Sequence, residues 1–264
     1  RAIPGSEPLL QERYPHLQDR NPTNPPKHQG SYRILAIACC ILFAISLTFL
    51  NPPLSWQADY LTGKGEQRTI TLADSSRVML NTDTSVAIHF DKNLRRVELL
   101  EGEAFFEVAK GKPQAFVVTV SGNEVRAVGT AFNVRRDSSQ TEVDLVEGIV
   151  DLQNSQRQQP TRLQAGQSAR ISAEGITTKT ESSEGMALWR DGYLQFDGLP
   201  LKAAIDQINR YRTGHIILLN GEFANKRVSG LFRLNALDQA VDSLKAAVPG
   251  IQIRTLTPYL IVLS

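Results

Sequence analysis

Between Gln67 and about Thr180 apolar residues fall on alternate positions. Ile70 and Leu72 alternate in RTITL, and Val78 and Leu80 in RVML. Val86, Ile88 and Phe90 do so in SVAIHF, and Phe116, Val118 and Val120 in AFVVTV. Period-two alternation predicts half-buried strands, with one face on a core and one in solvent. Turn-forming clusters punctuate the pattern at 73–76, 91–93, 111–113, 121–123 and 137–139. Short strands at this spacing predict an all-β domain over 60–180, sandwich or solenoid-like.

One phrase recurs inside that stretch. Leu99-Leu100-Glu101-Gly102 and Leu145-Val146-Glu147-Gly148 both join two alternating runs. Gly after Glu at such a junction predicts a bulge or tight corner, because Gly admits positive φ. The carboxylates Glu101, Glu103, Glu107, Glu147 and Asp151 read as solvated strand faces. No His or Cys lies near them in sequence to complete an acid/base site.

After Gly185 the period changes. Leu201, Ala204, Ile205, Ile208 and Tyr211 recur at helical spacing, and so do Leu237, Ala240, Val241, Leu244 and Val248. Pro200 suits a first helical turn, Asn235 is a candidate N-cap, and Gly214 and Pro249-Gly250 are stop signals. The helices share L-x-x-A-[IV]-D-x-[IL], and strands are predicted at 193–196, 215–219, 228–232, 251–253 and 259–262. Residues 186–264 therefore read as a small α/β domain of two strand–helix–strand repeats. Trp189 in Trp189-Arg190-Asp191-Gly192 reads as a core anchor rather than a binding residue.

A different pattern precedes the strands. Ile34 to Leu50 carries no charge, and Ser46 and Thr48 are its polar residues. As a helix it would reach about 26 Å, enough to span a thin bilayer core. Tyr32 and Trp56 suit the two interfaces, and Asn51-Pro52-Pro53 stops the helix. No small-residue cleavage site follows, as a signal peptide would need. A buried core helix would carry a polar face, and a re-entrant segment would be shorter. Arg13, Arg20, Lys27 and Arg33 precede the span, whereas the first basic residue after it is Lys64. The positive-inside rule then predicts a single-pass membrane protein with a cytoplasmic N-terminus. Residues 1–33, rich in Pro, read as a disordered cytoplasmic tether.

The totals narrow the function. Lys+Arg 29 against Asp+Glu 27 leaves a net charge of +2, with no basic stripe for nucleic acid. Cys39 and Cys40 both lie in the span, so the exported part is held by packing and offers no thiol chemistry. His16, His28, His89 and His215 are scattered, without metal-ligand or triad order. The reading is a protein without cofactor or metal, and not an enzyme.

Four strings then resemble a known family. They are Gly65-Glu66-Gln67-Arg68-Thr69-Ile70-Thr71-Leu72-Ala73-Asp74-Ser75-Ser76-Arg77-Val78, Arg96 to Val108 (RVELLEGEAFFEV), Phe116-Val117-Val118, and Val128-Gly129-Thr130-Ala131-Phe132-Asn133-Val134. In order and spacing they look like the periplasmic domain of FecR-type sigma regulators, anti-sigma factors that cross the inner membrane once. The repeated α/β unit is similar to the domain at the N-termini of secretins and TonB-dependent transducers.

The resemblance implies a function. Such a protein takes a signal from the periplasmic N-terminal signalling domain of a TonB-dependent outer-membrane transducer, commonly a ferric siderophore transporter. It controls an ECF (extracytoplasmic-function) sigma factor, often with intramembrane proteolysis. The expected transducer contact is the exposed strand edge around Val228, Gly230 and Phe232, through main-chain pairing. Some members are similar in cleaving themselves between Gly and Thr, which places that step at Gly129-Thr130. The family's sigma-binding domain precedes the span, and residues 1–33 are too short to be it. The alternative reading is a membrane-anchored envelope assembly protein that uses a secretin-like interaction domain.

Overall fold

The alternating runs between 60 and 180 form two stacked sheets in the computed structural model, which describes residues 36–40, 42, 57–137, 140–154, 159–180 and 185–264. The chain divides into two units, Arg1–Pro52 and Pro53–Ser264. In the first, residues 36–40 and 42 are helical. The rest of the predicted span, and all of the tether, lie outside the described residues. Among the described residues no helix is long and apolar enough to cross a membrane.

The second unit begins with the strands β1 (Tyr60–Leu61), β2 (Arg68–Thr71), β3 (Arg77–Leu80), β4 (Ser85–Phe90) and β5 (Leu94–Glu101). It continues with β6 (Glu103–Glu107), β7 (Ala115–Val120), β8 (Asn123–Ala127), β9 (Ala131–Arg136) and β10 (Thr141–Glu147). Then come β11 (Ile149–Gln153), β12 (Thr161–Gln164), β13 (Gln167–Ser172) and β14 (Gly175–Thr180). One seven-stranded sheet runs β1-β4-β5-β7-β8-β11-β12, and the other runs β14-β13-β10-β9-β6-β3-β2. A single apolar cluster draws on both, so the domain is a sandwich. Phe106 stacks on Phe132 at 5.2 Å in its centre. Full burial of a side chain of this size contributes roughly 1.5–3 kcal/mol.

Both repeats of the Glu-Gly phrase are corners where the chain changes sheet. At the first, β3 leads through Asp83-Thr84 into β4, and β5 leads through Gly102 into β6. At the second, β8 leads through Gly129-Thr130 into β9, and β10 leads through Gly148 into β11. The registers match. Ser85 faces Glu101 and Val86 faces Leu99, which leaves Leu100 bulged. Ala131 faces Glu147 and Phe132 faces Leu145, which leaves Val146 bulged. Gly102 and Gly148 have φ of 87° and 89°. A Cβ on Gly148 would lie 2.6 Å from Cγ2 of Thr130, so this corner closes only around Gly.

The α/β part follows a short 3-10 turn at Leu188–Asp191. It comprises β15 (Tyr193–Pro200), α1 (Leu201–Tyr211), β16 (His215–Leu218), β17 (Arg227–Arg233), α2 (Leu237–Ala247), β18 (Ile253–Thr257) and β19 (Leu260–Leu263). β15 pairs with β17, and β16-β19-β18 form a second small sheet. The shared helix motif is the buried face: Leu201, Ala204, Ile205 and Ile208 match Leu237, Ala240, Val241 and Leu244, all in one core. Asn235 does not cap α2. It lies in a 3-10 turn, Leu234–Ala236, and the N-cap is Ala236 with no side-chain bond. The turn takes up the position where a direct helix start would have used the Asn side chain.

That second core reaches into the sandwich. It includes Phe105, with Met79, Ala131 and Val146 packed against it. The α/β part therefore covers the outer face of the β6–β9 region, and β6 is buried on both sides. The expectation of a solvated Glu103 is overturned, since its side chain is 7% exposed. Glu101 and Glu147 remain exposed, while Glu107 and Asp151 are partly covered.

Candidate functional site

The Gly129-Thr130 bond sits where β8 turns towards β9. Gly129 has φ of 65°, and its counterpart at the first corner, Asp83, has φ of 46°. Thr130 is 3% exposed, and its carbonyl accepts from the Val108 amide at 2.9 Å. Its hydroxyl is buried and has no hydrogen-bond partner among the described residues. Thr84, at the matching corner, differs. Its hydroxyl accepts from the Glu103 amide at 3.0 Å and lies 3.0 Å from the carbonyl oxygens of Thr82 and Glu103. The fold thus repeats a corner, and among the described residues one of its two hydroxyls goes unused.

A depression of about 360 Å3 opens beside Thr130, lined in part by Arg77, Glu107, Lys110 and Glu147. The Lys110 stem crosses over Gly129, and its ammonium lies 2.8 Å from Glu147 Oε1. That hydrogen bond, and then the charge of Lys110, hold the Glu147 carboxyl below the usual range. Sequence reasoning placed Gly129 and Thr130. It missed Lys110 and Glu147, which are 37 positions apart and meet only through the corner.

The predicted partner edge lies elsewhere. Val228 is buried, and Phe232 packs on Phe196 at 5.4 Å. A Cβ on Gly230 would meet the Phe232 ring at 2.6 Å, so the ring folds over that glycine. Among the described residues β17 pairs with β15 alone. Arg227, Ser229, Leu231 and Arg233 are exposed, with Leu231 at 59%.

A third cluster was not read from the sequence. Glu103 Oε2 accepts from Asn81 Nδ2 at 2.9 Å and Arg210 Nη2 at 2.7 Å, and Oε1 accepts from Asn133 Nδ2 at 2.9 Å. Asn81 Nδ2 also donates to the Tyr211 hydroxyl at 2.6 Å, and Trp189 Nε1 donates to Asn133 Oδ1 at 3.3 Å. The guanidinium of Arg190 stacks 3.8 Å from the centre of the Phe105 ring. This junction joins the sandwich to α1 and to the turn before β15. Burial opposes ionisation of Glu103, but the charges of Arg210 and Arg135 and bonds from Asn133 and Arg210 outweigh it. Its carboxyl is held below the usual range. Burial, and then the charge of Glu103, push the Tyr211 phenol up to about 12. One sequence signal was available. Ala104-Phe105-Phe106 breaks the alternation, as a strand covered on both faces does.

Comparison with known proteins fits this geometry. Residues 58–151 match the family model described as FecR protein. A candidate anti-sigma factor from Parabacteroides distasonis ATCC 8503 is similar in two crystal structures. The first, at 1.65 Å resolution, has TM-score 0.68 and 25% identity, and covers 78% of this chain and 97% of that one. The second, at 2.50 Å, has TM-score 0.67 and 25% identity, and covers 77% and 96%. Shares that large extend the likeness past the sandwich into the α/β part. No curated protein matches the chain. Over residues 58–151 the chain is similar to FecR proteins, and the resemblance to FecR-type anti-sigma regulators read from the sequence holds.

Proposed function

We propose that this chain is a sigma-factor regulator that carries a signal from outside the cytoplasm to transcription. The observation that carries the reading is the FecR match over 58–151, with structural likeness to an anti-sigma factor candidate across the sandwich and the α/β part. In this reading the segment 34–50 anchors the chain in the inner membrane, and the described domains face the periplasm. The signal comes from the N-terminal signalling domain of a TonB-dependent outer-membrane transducer of the ferric siderophore type. The open edge of β17 receives it, and an ECF sigma factor is controlled in response, with the help of intramembrane proteolysis.

Self-cleavage at Gly129-Thr130 belongs to the same proposal. Thr130 Oγ1 would attack the Gly129 carbonyl carbon. The C–N bond breaks as the ester forms, and the hydroxyl proton ends on the Thr130 nitrogen. Water then hydrolyses the ester to the Gly129 carboxylate and the free hydroxyl. The reading is supported by a buried hydroxyl with no partner among the described residues and by the left-handed backbone of Gly129. Thr130→Ala should give one band on a blot where the unaltered chain gives two.

Deleting the gene in its host tests the regulatory reading. Transcripts should change as one set sharing a common promoter sequence, and supplying the chain again should restore them. Scattered changes with no shared promoter would overturn the reading.

A further inference from the structure

The open edge of β17 has a chemistry that narrows its partner. Leu234 N donates to Gly192 O at 2.9 Å, beyond the end of the β15–β17 ladder. Hydrogen-bonded pairs in an antiparallel ladder recur every second residue. Phe232 and Gly230, which face Leu194 and Phe196, therefore turn their main chain towards β15. The main chain of Ser229, Leu231 and Arg233 turns towards the open side. On the solvent face the side chains read Arg227, Ser229, Leu231, Arg233, with one apolar position inside two cations. Among the described residues neither arginine has an ion-pair partner. Arg227 donates instead to the Gly198 carbonyl at 2.7 Å.

A second copy of this chain fits the edge poorly. Antiparallel self-pairing through these main chains centres on Leu231, which sets Ser229 of one copy against Arg233 of the other, or on Gly230, which sets Arg227 against Arg233 twice. In neither register does either arginine meet a carboxylate, since residues 225–235 contain none. Like charges directly opposite on a sheet are destabilising. We infer that the β17 edge takes an extended segment of a different protein, apolar in its middle and with a carboxylate near each end, spaced to meet Arg227 and Arg233. This rests on the reading of that edge as the partner surface. It adds the charge pattern of the partner and moves recognition from Val228 and Phe232, which face the core, to Arg227, Leu231 and Arg233.

The test uses two labelled heptapeptides and the full chain. One is Glu-Thr-Val-Thr-Val-Thr-Glu, and the other carries Lys at both ends. Fluorescence polarisation at low salt, where screening is weak, should show the Glu-ended peptide binding about tenfold tighter. Arg227→Gln with Arg233→Gln should abolish the preference, and Arg227→Glu with Arg233→Glu should reverse it. Equal binding of both peptides, lost in Leu231→Pro, would overturn the acidic partner and keep the edge. Binding of neither peptide would overturn the edge itself. Self-association of the unaltered chain that Leu231→Pro abolishes would make the occupant a second copy and overturn the inference.

Discussion

The hydroxyl of Thr84 accepts the Glu103 amide at 3.0 Å, whereas the hydroxyl of Thr130, at the matching corner, is buried with no partner among the described residues. The two corners share a bulge, a Glu-Gly step and a change of sheet, so they serve as controls for each other. Valine keeps the shape of threonine and removes the hydroxyl. At 84 that strands the Glu103 amide and should cost about 1–3 kcal/mol. At 130 it removes an unpaired buried polar group, so Thr130→Val should leave stability unchanged or raise it by about 1 kcal/mol. Urea unfolding of the two variants checks the contrast. If cleavage follows the proposed route, Thr130→Val also abolishes it and Thr84→Val does not.

Arg210 reaches Glu103 from α1 at 2.7 Å, with side chains 27% and 7% exposed. Arg210→Met would leave a buried carboxylate with two amide donors and no bound cation. Removing one partner of a buried pair costs about 3–5 kcal/mol, and the partial exposure of Arg210 brings the expectation to about 2–3 kcal/mol. The loss should fall on the junction first. Proteolysis should separate the sandwich from the α/β part in the variant at a protease level that leaves the unaltered chain whole.

Asn133 links two carboxylates with opposite behaviour. Its Nδ2 lies 2.9 Å from Glu103 and 3.4 Å from Asp144. Burial pushes the Asp144 carboxyl above its ordinary 3.8. The nearby charges of Glu103 and Glu142 add to this, against bonds from Ser168 and Asn133. The folded state therefore holds the Asp144 proton more tightly than the unfolded chain does. Stability from this group is present below pH 3.8 and is lost as pH rises through the folded value. Glu103 runs the other way. Its contribution is present above 4.5 and is lost as pH falls through its lowered folded value. Asp144→Asn should match the unaltered chain in acid and exceed its melting temperature near neutrality. A variant that melts lower at both ends of the range would contradict this account.

The sandwich was legible in the sequence wherever one strand face was buried. Val78, Leu80, Val86, Phe116, Val118 and Val120 all lie in its core, at the alternating positions. The helices were legible because their shared motif is their buried face. What failed was the outer face of β6. Glu103 reads as solvated when the strand is taken alone, and only the docking of Trp189, Arg210 and Tyr211 buries it. Those residues are up to 130 positions from the sandwich residues they bond. No local period encodes such a contact, although the adjacent Phe105 and Phe106 showed that both faces had to be covered. The Gly129-Thr130 corner was legible as a motif. The missing partner of its hydroxyl was not, because that depends on what Gly148 leaves room for.

Gly148 packs directly on Thr130, and its substitution joins stability to the proposed cleavage. Gly148→Ala places a methyl group 2.6 Å from Thr130 Cγ2 at a φ of 89°. Left-handed backbone costs a non-glycine residue about 1–2 kcal/mol, and overpacking a full site adds about 1–3 kcal/mol. The relief open to the chain is displacement of Thr130, since the bulge at Val146 fixes the other side of the corner. In-line attack on the Gly129 carbonyl tolerates little displacement, because misplacement by about 1 Å can cost a hundredfold in rate. Gly148→Ala should therefore slow fragment formation at a temperature where the variant is still folded. Gly102→Ala, at the matching corner, presses on Asp83 and Thr84 instead. It should destabilise the sandwich comparably and leave the cleavage rate unchanged. Equal slowing by both would tie cleavage to global stability rather than to the position of Thr130.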